Sequence, residues 1–300
     1  MNEYLIKTLI FFLIAIQSCH NTNSTHDLDT GYAFKSPDMS VILPDVLHEI
    51  SGLTLINDSS FACIQDEIGI VFFYDLNTKS ITRELTFAAK GDFEGIARAD
   101  SDIYVLRSDG TIFEIQDFES DRFLVTKYQT KVPSKDNEGL CYDPDRGMLL
   151  LACKDNVSKK AGSKDDRYVY GFDTESHKLT KHPVYTFSIK ELEEFAVKNK
   201  VKVPHKSSKK STQTKPEIKF RPSGVGIQPG TQDIYILSSD DHLLFVFSYA
   251  GAIKSIVRLD PDLFLQPEGI TFYPDGDLLI SNEGGHKKPT ILKFDFHDHL

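Results

Sequence analysis

The triplet [Glu/Ser]-Gly-[Ile/Leu/Val] occurs five times in this chain, as Ser51-Gly52-Leu53, Glu94-Gly95-Ile96, Glu138-Gly139-Leu140, Ser223-Gly224-Val225 and Glu268-Gly269-Ile270. Its glycines stand 43, 44, 85 and 45 residues apart. A repeat near 44 residues is the length of one four-stranded propeller blade, so the chain must be read as stacked equal units before anything else is weighed. Each unit parses alike. After the glycine comes a short run ("GITFYP", "GLCYDP"), then a turn signal ("PDGD", "PDRG"), a stronger apolar strand ("LLISN", "MLLLAC", "IYILSS") and a third strand ("IVFFYDL", "LFVFSYA", "ILKFDF"), with a fourth in "ITRELTF" and "KSIVRLD".

The spacing therefore predicts an all-β fold, a β-propeller of four-stranded antiparallel blades. Five blades are counted, and six is the alternative, because the 85-residue gap has room for a degenerate unit. Residues 188–221 argue against that sixth blade. "SIKELEEFAVKNK" carries a Ser188/Glu191 capping box and puts Ile189, Leu192 and Ala196 on one helical face, and the lysine-rich stretch after it is poor in apolar residues. The lysine run reads as a solvated loop, with contact to anionic lipid or polysaccharide as its functional alternative. The last unit ends after three strands, and "YAFKSPDMSVILP" (32–44) is left over to supply the fourth and close the ring. One propeller domain over residues 32–300 is expected.

If each first strand begins at the triplet and the second returns antiparallel, the end of the second strand lies on the same face. The acidic residues Asp66, Asp109, Asp155, Asp240 and Glu283 fall there, 14, 14, 16, 16 and 14 residues beyond the glycines. An inner set (Ser51, Glu94, Glu138, Ser223, Glu268) and an outer set that also includes Asn282 then gather oxygen donors on one face. Carboxylates converging on an axis repel and gain proton affinity unless a cation or basic group sits among them. Oxygen donors without a His or Cys set point to a hard ion, Ca²⁺ or Mg²⁺, with Glu94, Glu138 and Glu268 as its ligands. Two other readings stay open: a latch, in which these residues bond neighbouring backbone, and a catalytic carboxylate.

The pattern "NEGLCYDP", "PSGVGIQP" and "PEGITFYPDGDLLISNE" resembles the SdiA-regulated domain family of bacterial envelope β-propellers over roughly residues 40–297. The resemblance implies a propeller, an envelope location and calcium in the channel as an expectation. Ser51 and Ser223 and the lysine-rich insertion depart from the family's pattern, so no ligand set is carried over by residue.

The N-terminus agrees with the envelope. "MNEYLIKTLIFFLIAIQSC" has Lys7, an apolar run over residues 9–16, and Gln17 and Ser18 before Cys19. That run is too short for a bilayer span of about 20 residues and reads as a signal-peptide core. The stretch resembles a lipobox, which implies cleavage before Cys19 and its acylation. Residues 1–18 are then a signal peptide and 19–31 a polar tether. The rival reading is a secreted protein whose Cys19 lies near the cleavage site. His20, in place of an Asp after the lipidated cysteine, favours the outer membrane.

A net charge of −10 excludes a general nucleic-acid binder, which needs a basic surface. Cys63, Cys141 and Cys153 allow at most one disulfide and read as buried thiols. No G-x-S-x-G elbow or H-E-x-x-H motif occurs. Two function classes remain. One is an anchored binding or scaffolding module for an envelope protein, glycan or small ligand; the other is a metal-dependent hydrolase of an ester, lactone or phosphate. A His or Lys reaching the axis would favour the enzyme, and Arg107, Lys154 and Arg221 flank the proposed face.

Overall fold

Five antiparallel sheets radiate from a common axis in a computed structural model that describes residues 30–206 and 215–297. Cys19, the signal segment and the centre of the lysine-rich insertion lie outside the described residues. In chain order from axis to rim, the first blade is Ile50–Asn57, Ser60–Gln65, Ile70–Asp75 and Ser80–Thr86, and the second is Phe93–Ala99, Asp102–Arg107, Thr111–Gln116 and Leu124–Gln129. The third is Asn137–Asp143, Met148–Cys153 and Asp166–Asp173, whose outer edge is shared by Lys178–Leu179 and Tyr185–Ser188. The fourth is Gly224–Ile227, Ile234–Ser238, Leu243–Phe247 and Ile253–Arg258.

The fifth blade joins the two ends of the fold. Pro267–Phe272, Leu278–Asn282 and Thr290–Phe294 are completed by Met39–Ile42, which pairs antiparallel with the last of them, Val41 opposite Ile291. The chain is thus a five-bladed propeller whose ring is closed by its N-terminal strand.

Burial explains the sequence pattern of each strand. The middle strands of a blade are covered on both faces by neighbouring blades, so "LLFVF" (Leu243–Phe247) is buried at every position and reads as a continuous apolar run. The outer strand Ser80–Thr86 faces solvent on one side and shows period-two alternation instead. Between each pair of adjacent blades lies one apolar cluster; the cluster of the third and fourth blades also takes in Leu192, Ala196, Val203 and Phe220 from the insertion.

The insertion departs from expectation in two details. The helix Ile189–Lys198 forms and buries Leu192 and Ala196, but Ser188 makes no side-chain cap. Ser188 ends a strand paired with Asp166, and the Ile189 amide is taken by the carbonyl of Asp165 at 3.0 Å, so the helix start is anchored by the sheet. The lysine-rich stretch also carries a small hairpin, His205–Lys206 against Lys215–Pro216.

Candidate binding site at the axial mouth

The five triplets meet as one ring around the axis. They line a constriction of only about 10 Å³, no more than one water could fill. Glycine is required because successive first strands touch here. A Cβ on Gly95 would stand 2.6 Å from the carbonyl oxygen of Glu138, and one on Gly269 would stand 3.0 Å from the amide nitrogen of Leu53 across the ring closure.

A second feature aims the acidic member of the triplet. The ladder between first and second strands skips a residue at Ser51, Glu94 and Glu138, and skips Glu268 with its glycine. A β-bulge re-aims the side chain of the unpaired residue. The carboxylates are thereby turned out of the blade and into the axial mouth.

The two serines do different work from the three glutamates. Ser51 Oγ donates to the carbonyl of Phe93 (2.7 Å) and Ser223 Oγ to that of Pro267 (2.8 Å), each the residue before the next blade's glutamate. They are latches between blades. Replacing Ser223 with Ala leaves a buried carbonyl unpaired, and we expect a loss of about 1–2 kcal/mol, read as a melting temperature lower by about 2–4 °C.

Lys154 provides the charge that the glutamates lack. Its Nζ bonds Glu138 Oε1, leaving Glu138 Oε2 buried without a partner. Burial opposes the lysine's charge, but Glu138, Glu268 and Asp136 more than offset it, so the ammonium is held above its usual pKa. One ammonium does not balance the ring. Burial, against which Lys154 acts, leaves Glu138 at about 7. Burial, then Glu138 and Asp92, push Glu94 up to about 9. Glu268 is lifted well above the carboxylate range by burial, then by Glu138 and Glu283.

The outer set divides into two sectors. On the side of the third and fourth blades, Arg221 reaches Asp155 (2.6 Å), Asp240 (3.3 Å) and Asp136 (3.6 Å). On the second blade, Arg107 bonds Asp109 at 2.7 Å and holds it down at about 2. The opposite sector has no such guanidinium among the described residues. Burial, Glu49, Glu67 and Asp92 raise Asp66 to about 6; burial, Glu49 and Asp66 raise Glu283 to about 7. The Oδ1 atoms of Asp66 and Asn282 are buried there and unpaired, while Glu283 accepts from Gln266 at 2.7 Å and Asn282 donates to Thr290.

A third ring, of which the sequence reading named only Arg221, is formed by Glu49, Asp92, Asp136, Arg221 and Gln266, each two residues before the triplet. The same repeat that marks the triplet would have marked them.

The donors are oxygen only, which suits a hard ion. Among the described residues, however, no three His, Cys, Asp or Glu side chains converge closely enough to hold one. The mouth is therefore an acidic recess with an internal ammonium and does not form a ready metal cage. On the far side of the constriction, a separate cavity of about 430 Å³ is floored by Leu53, Ile96, Leu140 and Ile270.

Neither a protein-family model nor a curated protein matches this chain. Among solved structures, the glutaminyl cyclase of Myxococcus xanthus is similar at 12% identity with a TM-score of 0.53, over 87% of this chain and 96% of that one. A streptogramin B lyase aligns at 12% identity with a TM-score of 0.48, over 86% and 97%. At such identities the likeness is one of fold.

Proposed function

We propose that this protein is a binding or scaffolding propeller of the cell envelope, tethered through Cys19, whose axial mouth takes up a cationic group of its ligand. The observation that carries the reading is the gathering of Asp66, Glu94, Glu268 and Glu283, buried or half-buried carboxyls around the mouth that burial and mutual repulsion raise above their usual range, with Lys154 as the ammonium among them. A cation entering the mouth displaces protons from these carboxyls and gains the attraction that Lys154 alone leaves unsatisfied. Ca²⁺ and Mg²⁺ are the first ions to try, and an organic ammonium is the alternative that matches Lys154 chemically.

The test is calorimetric titration of CaCl₂, MgCl₂ and 1,4-diaminobutane into the protein and into a Glu94→Gln/Glu138→Gln/Glu268→Gln variant. Saturable heat that the variant loses supports the reading, and the arm that gives it names the ligand class. A folded protein that binds none of the three at millimolar concentration would sink it.

A hydrolase is the second reading, and one contact favours it: Lys154 reaches the axis beside Glu138. The fold admits it, since the Myxococcus xanthus neighbour is named as an enzyme. The raised pKa of Lys154 keeps it an ammonium, able to donate a proton or steady an anion but unsuited to a general base. Binding accounts for that state without further steps.

A further inference from the structure

A groove at the outer edge between the fourth and fifth blades has the opposite character to the axial mouth. It encloses about 370 Å³ and is rimmed by Lys35, Lys200, Lys202 and Arg258. Three parts of the chain supply them: the segment before the closing strand, the turn after the insertion helix, and the end of the fourth blade's outer strand. Among the described residues none of the four has a carboxylate partner, although other lysines of the insertion do, as Lys206 with Glu217 and Lys219 with Asp240. The groove's lone acid, Asp260, turns Oδ1 to the amide of Asp262 at 3.0 Å.

Apolar groups lie beneath the charges. Phe34, Ile256 and Leu259 form the floor with half-buried Val201. Val197, on the last turn of the adjoining helix, is 62% exposed. A protein with a net charge of −10 has thus gathered four cations without a carboxylate partner among the described residues over an apolar floor, and three residues before Lys200 it leaves an apolar side chain in water.

We propose that this groove is a docking site for an anionic phospholipid surface, the lysines and Arg258 taking the phosphates and Val197 meeting the acyl region. Long basic side chains suit that boundary, because their stems lie along apolar groups while their heads reach charge. An acidic polysaccharide would satisfy the cations but leave the exposed Val197 in water. The site depends on its own charge and not on the acyl chain at Cys19. Its placement fits such an anchor all the same, because Phe34 and Lys35 follow closely on Thr30 and Tyr32, where the described chain first packs on the fold. No helix among the described residues is long and apolar enough to cross a membrane.

The experiment is cosedimentation of the full chain with vesicles of pure phosphatidylcholine and of phosphatidylcholine with 30% phosphatidylglycerol, at low and high salt. An acyl anchor binds both vesicle types alike and resists salt; the groove prefers the anionic vesicles and releases in salt. We expect a preference on the order of tenfold or more, since each basic residue near the surface contributes about a fivefold factor. The preference should vanish in Lys35→Glu/Lys200→Glu/Lys202→Glu/Arg258→Glu and weaken in Val197→Asp. All five positions are exposed, and melting curves check that the variants fold; should the fourfold variant fail to fold, the Lys200→Gln/Lys202→Gln pair takes its place. Equal binding to both vesicle types, a preference kept by the charge variants, or release by a soluble acidic polysaccharide but not by salt would overturn the proposal.

Discussion

Changing Gly95 to Ala should destabilise the protein by about 3 kcal/mol, a fall of roughly 5–10 °C in melting temperature. The added methyl would lie 2.6 Å from Glu138 O and 2.7 Å from Leu140 Cβ, and the nearer of these belongs to backbone that cannot rotate aside. One blade must then move away from the next. Gly230→Ala is the control, because its nearest neighbours are the flexible end of Gln228 at 3.3 Å and its φ is not positive. Its effect should stay within about 0.5 kcal/mol. Equal melting temperatures for the two variants would show that the ring is not held as tightly as its glycines imply.

Lys154→Met should cost a similar amount at pH 8, about 3 kcal/mol, because it strands Glu138 beside Glu94 and Glu268. The penalty depends on pH in a defined direction. Asp66, Glu138, Glu283 and Glu94 have folded-state values of about 6, 7, 7 and 9, above their unfolded values, so the native state binds more protons. Their contribution is fully present below about pH 4 and is lost as pH rises from there to about 9. The unmodified protein should therefore melt higher at pH 5 than at pH 9. Asp109, at about 2, acts the other way, and only as pH falls below about 4. In the variant, Glu138 can take a proton at pH 5, so the deficit should shrink there. Lys154→Met/Glu138→Gln should recover most of the loss at pH 8. A deficit that is the same at both pH values would show that Lys154 contributes packing and not charge.

The blades were legible because burial follows strand order. Continuous apolar runs such as "IYILSS" must be middle strands, and alternating runs such as "ITRELTF" must be outer ones. The leftover "MSVI" had only one unpaired edge to fill. The site was less legible, because its chemistry depends on bulges. A skipped residue leaves no trace in composition, yet it turns Glu94 and Glu138 toward the axis, while the same position in other blades holds Ser51 and Ser223 as latches. Distance along the chain also hid the partition of charge. Arg221 is 66 residues from Asp155 but bonds it. A clue to Lys154 was present, however. The residue before each outer acid is Gln65, Ser108, Lys154, Ser239 or Asn282, and only one of these is charged.

The closing strand also has a consequence for how the chain is made. Met39–Ile42 is synthesised about 250 residues before its hydrogen-bonding partner, Thr290–Phe294. At roughly 5–20 residues per second, that interval is on the order of tens of seconds. Throughout it the growing arc has two open flanks, each offering an uncovered apolar face, and no fifth interface to hide them. Four blades can form in sequence, but the fold becomes a ring only when Met39–Ile42 meets Thr290–Phe294, which makes this stage the one at which a holdase would find the most to bind.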